Sequence, residues 1–301
     1  MLIYYCTDGV SLGPGHCRTI MQPVPTDTAL EDMPPSFLLE WSRERGLSVR
    51  EADCPLIRLA VLPAPEPQVF ACGRLGYIAR IHRGLLAEET IEGPHVQGFL
   101  RDLRVIGTHL YAAGMGRQAY RRHDSGRWTR WDAGLLHNSE DVLDIRGINA
   151  IDGFTEDDMY AVGFQGEIWR YVRGAWHEVE SPTNLILERV RVVRPDRAYS
   201  AGQVGTLLRG QGDAWEHVKQ TTTEDDFWGM EWFRDRLYLA TRNGLFVLVE
   251  DNELEPVDTE LPGPRTSAQL HAANGALWSF GPQHLAWTED GTTWNDVVLG
   301  P

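Results

Sequence analysis

The sequence predicts an all-β fold, a β-propeller of about six four-stranded blades, with seven blades as the alternative. Three observations predict it: a strand motif that repeats along the chain, a large apolar residue near the start of the last strand of each repeat, and a composition typical of a folded protein. The 301 residues are 42% hydrophobic and 10% aromatic, with 11 Trp. This composition argues against disorder, and a chain of this length can bury a large core.

The repeated motif is a short apolar strand that ends in a small residue followed, in most copies, by Gly. Its six copies are Phe70–Gly73, Tyr111–Gly114, Tyr160–Gly163, Tyr199–Gly202, Tyr238–Thr241 and Trp278–Gly281. Near-constant spacing of about 40 residues is what four short strands and their turns require. An open β-solenoid is the alternative fold, but its repeats are usually shorter.

Each motif is followed by features that complete a four-stranded unit. A second Gly comes three residues after four of the motifs and predicts a tight turn with positive φ; these are Gly76, Gly166, Gly205 and Gly244. A third strand follows, and then a fourth that is opened by Trp128, Trp176, Trp215, Trp294, Leu85 or Leu254. Because such a sheet cannot bury both faces alone, we expect the units to stack radially as a propeller over residues 55–301.

Residues 1–54 do not carry the repeat and are predicted to be a separate N-terminal segment. Leu2–Cys6 reads as a strand. Pro34–Arg45 reads as a short amphipathic helix that begins at the prolines and ends at Gly46. We expect the N-terminal strand to pair with the last blade and close the ring, or to contribute to a partial seventh blade, because an unclosed ring exposes sheet edges.

The charge of the chain restricts the classes of partner. The formal net charge is −15, so nucleic-acid phosphates are repelled and a partner with a basic surface is favoured. The alternative is that the charge only keeps the protein soluble. The N-terminus lacks the basic and apolar regions of a signal peptide, and no apolar run is long enough to span a membrane, so a cytoplasmic location is expected.

Two segments resemble known propeller families. The stretch Asp158–Trp176 resembles the repeat of bacterial propellers related to the photosystem II stability and assembly factors. Thr288–Trp294 looks like a shortened Asp-box, the turn of sialidase-type repeats, with one residue missing between Asp and Gly. Both resemblances imply the propeller fold, which hosts many unrelated functions.

The sialidase resemblance implies a catalytic arginine triad, a Tyr–Glu nucleophile pair and an acidic proton donor. The candidate arginines on or near predicted first strands are Arg104, Arg146 and Arg191. They either converge in the central channel or pair with nearby carboxylates such as Asp102, Asp144 and Glu188.

The common metal-binding patterns are missing from the sequence. It contains no HExxH or CxxC spacing. Cys72 lies within a predicted strand and is expected to be a buried, unreactive thiol. We therefore predict that the protein is not an enzyme and uses no cofactor and no metal.

The predicted partner site lies on the loops between blades. In a propeller these loops share one face with the turns between second and third strands. Two of the loops carry adjacent acids, Glu140 with Asp141 and the run Glu224, Asp225 and Asp226, and the second leads directly into Phe227 and Trp228. Acids beside large aromatics suit a basic, partly apolar protein surface. The alternative is that the aromatics belong to the core and the acids to a solvated turn.

The sequence therefore favours a non-catalytic protein-binding propeller. An immunity protein that caps and neutralises a basic toxin, such as a nuclease, fits the charge and the missing chemistry. A glycan-binding or glycan-hydrolysing propeller of the sialidase kind and an assembly factor are the alternatives.

Overall fold

The chain folds as an all-β protein with seven four-stranded antiparallel sheets, one more than the six repeats predict. A computed structural model describes residues 4–23, 34–63, 66–92, 98–135, 146–250, 252–262 and 266–297. Each sheet uses four strands that are consecutive in the chain. This strand order is that of propeller blades, and we number the sheets as blades 1 to 7.

The first three blades occupy the N-terminal part of the chain. Blade 1 contains β1 (Tyr4–Gly13), β2 (His16–Pro23), β3 (Phe37–Ser42) and β4 (Gly46–Glu51). Blade 2 contains β5 (Leu56–Leu62), β6 (Gln68–Gly73), β7 (Tyr77–His82) and β8 (Leu85–Thr90). Blade 3 contains β9 (Leu100–Ile106), β10 (His109–Gly114), β11 (Ala119–Arg122) and β12 (Trp128–Arg130).

The remaining four blades follow at regular intervals. Blade 4 contains β13 (Ile148–Thr155), β14 (Asp158–Gly163), β15 (Ile168–Val172) and β16 (Ala175–Val179), and blade 5 contains β17 (Leu187–Arg194), β18 (Arg197–Gly202), β19 (Leu207–Gln211) and β20 (Ala214–His217). Blade 6 contains β21 (Gly229–Phe233), β22 (Arg236–Ala240), β23 (Leu245–Val249) and β24 (Glu253–Pro256). Blade 7 contains β25 (Gln269–Ala273), β26 (Ala276–Phe280), β27 (Leu285–Thr288) and β28 (Trp294–Val297).

The chain divides into two compact units. Unit 1 comprises Met1–Leu59 and Trp228–Pro301, and unit 2 comprises Ala60–Phe227. Unit 1 therefore holds blades 1, 6 and 7, and unit 2 holds blades 3 to 5 with most of blade 2.

The N-terminal segment is a complete blade rather than an accessory to the last one. Strand β1 pairs with β2, not with a strand of blade 7. Blade 1 instead lies against blade 7 within unit 1, where Trp278 Nε1 donates to the Gly13 carbonyl at 3.0 Å. Blade 1 lacks the repeated motif, so the repeat alone does not predict this blade.

The helix expected at Pro34–Arg45 is wrong, because Phe37–Ser42 forms strand β3. Both Leu38 and Leu39 are buried, so the segment packs apolar side chains on both of its faces, as a strand inside a stack of sheets does. Glu40 accepts hydrogen bonds from Arg18 on β2. Tertiary pairing thus overrides the local helix preference, and Gly46, with φ of 73°, begins β4 directly after the β3–β4 turn.

The motif Gly of four blades is required by close backbone approach, at Gly114, Gly163, Gly202 and Gly281. A Cβ on Gly163 would lie 1.9 Å from the Gly147 carbonyl oxygen, and one on Gly202 would lie 2.1 Å from the Ile186 carbonyl oxygen. The chain entering the first strand of the same blade therefore passes directly against these glycines. Any side chain there would push the strands apart, which explains the motif physically.

The second Gly of the repeat has positive φ at three of the four predicted positions, Gly76, Gly166 and Gly205. Gly244 is the exception. In that turn the hydroxyl of Thr241, which replaces the motif Gly, accepts hydrogen bonds from the backbone N–H groups of Asn243 and Gly244. The Thr241 side chain thus stabilises this turn by hydrogen bonding, whereas a Gly with positive φ allows the turn at Gly76, Gly166 and Gly205.

The conspicuous aromatic residues of the repeat are structural. The aromatic side chains that begin the six motifs are all buried, namely Phe70, Tyr111, Tyr160, Tyr199, Tyr238 and Trp278. Trp128 and Trp294 begin fourth strands as predicted, and both are buried. The shortened Asp-box also forms a structured turn, because Asp290 accepts hydrogen bonds from Thr292 and Thr293 N–H at 2.8 and 2.7 Å.

Helical structure is minimal in the part of the chain that the structure describes. It consists of one 3-10 turn, Phe164–Gly166. Within the same residues, no helix has the length and apolar character needed to cross a membrane.

Candidate functional site: the acidic inter-blade loop of unit 2

In unit 2 the turns between second and third strands lie against the loops that connect successive blades. Gly76 O accepts a hydrogen bond from Ile91 N at 2.9 Å, and Gly205 N donates to Asp225 O at 3.1 Å. In blade 4 a Cβ on Gly166 would lie 2.0 Å from the Thr183 carbonyl oxygen. These turns and loops therefore share one end of the sheets, as predicted, and we call this surface the turn face of unit 2.

The loop from 220 to 226, the acidic loop, follows blade 5 and is organised by the side chain of Gln220. Its Nε2 donates to the carbonyl oxygens of Gly205 and Thr223, each at 2.8 Å. Its Oε1 accepts from the N–H groups of Thr222 and Thr223. Because one amide satisfies backbone groups of both the loop and the turn, the acidic residues that follow are held at a defined position on the turn face.

The three acids of the loop have different surroundings. Glu224 is exposed, whereas Asp225 and Asp226 are half-buried. The Asp226 carboxylate accepts a hydrogen bond from Val204 N at 2.9 Å, so this acid fixes the neighbouring turn. The Asp225 N–H is held by the Thr223 hydroxyl at 3.0 Å. Glu224 is therefore the acid of this run that presents its side chain most fully to solvent.

Val204, which was not predicted from the sequence, is a surface residue next to the acids. It is 55% exposed and lies at the tip of the turn between β18 and β19, with φ of 53°. A β-branched residue with positive φ is a genuine conformational outlier. The sequence signal was the dipeptide Val204-Gly205 in a position where a tight turn needs two residues of positive φ.

The two aromatics next to the acidic loop have different surroundings. Phe227 is fully buried, and its N–H donates to Gly202 O at 3.0 Å. Trp228 opens the second segment of unit 1 and is half-buried, with the Arg242 guanidinium 5.2 Å from its ring centroid. Phe227 therefore follows the alternative interpretation, that of a core residue. The other predicted acids, Glu140 and Asp141, lie outside the described residues.

The three arginines considered for a sialidase-like triad are engaged in two separate ion-pair groups. Arg104 and Arg191 both contact Asp152, at 3.0 and 3.4 Å. Arg146 contacts Glu167 at 2.7 Å. The arginines thus pair with carboxylates, as the alternative interpretation expected, and these carboxylates include Asp152 and Glu167.

The carboxylates of these groups are integral to the packing of unit 2. Asp152 is buried and also accepts a hydrogen bond from Val192 N at 2.8 Å, which joins blade 4 to blade 5. Burial opposes ionisation of Glu167, but hydrogen bonds from Arg117 and Arg146 outweigh it and hold the pKa of this carboxyl below its usual value. These residues act as structural ion pairs between blades.

The described part of the chain offers no metal-binding cluster, and three of its four cysteines are buried. No group of three or more His, Cys, Asp or Glu side chains there could hold a metal ion. Cys6, Cys17 and Cys72 are buried free thiols, as predicted for Cys72. Burial raises the pKa of Cys6 to about 12, which keeps it protonated at neutral pH.

Comparison with solved structures defines the class of fold. The WD40 β-propeller domain of Doa1 superposes with a TM-score of 0.72 at 12% identity, covering 95% of this chain and 92% of that one. YCF48 bound to D1 peptide superposes with a TM-score of 0.66 at 12% identity, covering 93% and 90%. At this level of identity the likeness shows the fold alone, and that fold is a β-propeller.

Sequence comparison defines the family. No protein-family model matches the chain. The chain is 34% identical over 272 residues to the immune protein Tsi7 of Pseudomonas aeruginosa, and the match covers 87% of each protein. The chain therefore belongs to the family of the immune protein Tsi7.

Proposed function

We propose that this protein is an immunity protein that binds a toxin and neutralises it without catalysing a reaction. The observation that carries the proposal is its membership of the Tsi7 immune-protein family. The propeller fold supports it, because short loops displayed on a rigid stack of sheets make a pre-organised binding surface. The buried ion pairs of Arg104, Arg146 and Arg191 do not favour the sialidase alternative.

We further propose that the toxin is bound at the turn face of unit 2, through the acidic loop. Glu224 is exposed there, with Asp225 and Asp226 beside it, on a loop held in place by Gln220. A partner with Lys and Arg side chains complements this loop, and the net charge of −15 would steer such a partner towards it. A nuclease is one candidate, because its substrate site must itself attract phosphates.

We propose that neutralisation takes place in the cytoplasm, where a toxin that acts on nucleic acid would meet its target. Fractionation of the native cell tests this directly. Recovery of the protein with soluble cytoplasmic markers is the expected result, and recovery with periplasmic markers would contradict it.

Growth rescue in a bacterial host tests the proposed function. The open reading frames adjacent to the gene of this chain are expressed one at a time, with and without the chain. We expect one product to arrest growth alone and not when the chain is co-expressed, and the purified pair to form a stoichiometric complex. If no neighbouring product is toxic, or if rescue occurs without complex formation, the proposal is wrong.

A further inference from the structure

Val204 is an unusual residue type for the backbone conformation that it adopts in the β18–β19 turn. Three turns of unit 2 place a non-Gly residue with positive φ at the corresponding position, namely Leu75, Gln165 and Val204. Gly, Asn and Asp are the residues that adopt this conformation most readily, and β-branched residues do so rarely. Because Val204 is also exposed, burial does not compensate for the unfavourable backbone conformation.

The acidic loop holds this turn on two sides. Val204 N donates to the Asp226 carboxylate at 2.9 Å, and Gly205 N donates to Asp225 O at 3.1 Å. The turn closes on itself through Thr206 N and Gln203 O at 3.0 Å. The isopropyl group of Val204 is thus displayed from a rigid turn whose neighbours are the acids of the loop.

We propose that Val204 is a recognition residue, an apolar anchor that packs against an apolar side chain of the toxin flanked by Lys or Arg. This inference rests on the proposed function and specifies its contact. Strained residues that persist in exposed positions are associated with binding and switching sites. An apolar contact with a charged rim is the usual arrangement of a protein interface, in which the apolar centre supplies affinity and the charges supply orientation.

The substitution Val204→Asn separates a recognition role from a structural one. Asn adopts positive φ more readily than Val, so we expect the melting temperature to rise by about 2 °C. We expect affinity for the toxin identified by growth rescue to fall at least tenfold, measured by titration calorimetry. Unchanged affinity in the stabilised variant would overturn the proposal while leaving the immunity function intact.

Gln165→Asn is the matched control, because Gln165 is exposed at the same turn position in blade 4 with φ of 57°. It should give a similar rise in melting temperature and leave toxin affinity within twofold. An equal loss of affinity in both variants would show that turn flexibility, rather than the Val204 side chain, governs binding, and would also overturn the proposal.

A second test does not depend on the toxin. Two peptides, acetyl-Arg-Lys-Leu-Lys-Arg-amide and the same peptide with Ser in place of Leu, are titrated into the full chain and followed by methyl NMR. We expect the Leu peptide to shift the Val204 methyl signals and to bind at least fivefold more tightly than the Ser peptide. Equal affinities, or no shift at Val204, would contradict an apolar anchor at this position.

Discussion

The carboxylate of Asp226 accepts a hydrogen bond from the backbone N–H of Val204 at 2.9 Å, so the acidic loop and the β18–β19 turn form one structural element. The three acids of the loop are therefore not equivalent. Asp226 stabilises the turn, whereas Glu224 is exposed. This distinction changes how the loop is tested, because replacing all three acids together would alter its shape as well as its charge.

Stability measurements should separate these two acids. We expect Asp226→Ala to lower the free energy of unfolding by about 1–2 kcal/mol, because the Val204 N–H loses a charged acceptor. Glu224→Ala should change it by less than about 0.5 kcal/mol, as exposed substitutions usually do. Urea unfolding of both variants checks this, and equal losses would contradict the assignment.

The motif Gly is predicted to be intolerant of any side chain. In Gly202→Ala the new Cβ would lie 2.1 Å from the Ile186 carbonyl oxygen, so the backbone must move. We expect a loss of about 3 kcal/mol or more by thermal or urea unfolding. Gly174→Ala is the control: a Cβ there meets nothing within 4 Å, and only its positive φ opposes the change, so about 1–2 kcal/mol is expected. A Gly202 variant no less stable than this control would argue against the close-approach explanation.

The buried carboxylate of Asp152 is predicted to be essential for joining blades 4 and 5. Asp152→Asn keeps the shape but removes the charge that faces Arg104 and Arg191. We expect a destabilisation of about 3–5 kcal/mol, because two arginines lose their buried counter-charge. Asp157→Asn, an exposed change in the same blade, should be near neutral. A loss below about 1 kcal/mol at Asp152 would contradict this role.

Glu40 is predicted to make stability sensitive to acid. Hydrogen bonds from His16 and Arg18 outweigh burial and lower the pKa of Glu40 from its ordinary value of 4.5 to about 2. A lowered folded-state pKa adds stability above the ordinary value and loses it as pH falls through the folded value. Between pH 5 and pH 2 the unfolding free energy of Glu40→Gln should therefore fall less steeply than that of the unmodified chain. Glu178→Gln, an exposed change on β16, is the control variant for this comparison.

Much of the fold is predictable because its repeat reflects backbone geometry. The Gly of Tyr199–Gly202 recurs since neighbouring strands pass too close for a side chain, and the aromatic residue is buried in each of the six blades that carry the motif. Blade 1 was not predictable in this way, because it lacks the motif. Phe37–Ser42 carries a local helix pattern that its pairing with β2 and β4 overrides.

The candidate site was predictable in part. The acidic run at 224–226 was evident from charge alone, and its place on the turn face followed from the repeat. The role of Asp226 as a turn acceptor and the exposure of Val204 depend on contacts between residues that are distant in sequence. Phe227 was predicted as part of a contact surface because it follows the acids in the sequence. Its burial depends on the packing of the blades, which the local sequence does not reveal.

The most direct test of the account is the salt dependence of toxin binding by the double variant Glu224→Gln with Asp225→Asn, which removes two charges and leaves Asp226 in place. Its control is Asp157→Asn with Asp196→Asn, the same charge change on exposed hairpins at the opposite end of the blade 4 and blade 5 sheets. Because the acidic loop is proposed to face Lys and Arg, we predict that the first variant binds the toxin at least tenfold more weakly at low salt. The salt dependence of its affinity should also be flatter. The control variant should resemble the unmodified chain in both respects. Equal affinity and equal salt dependence in the two variants would contradict binding through the acidic loop.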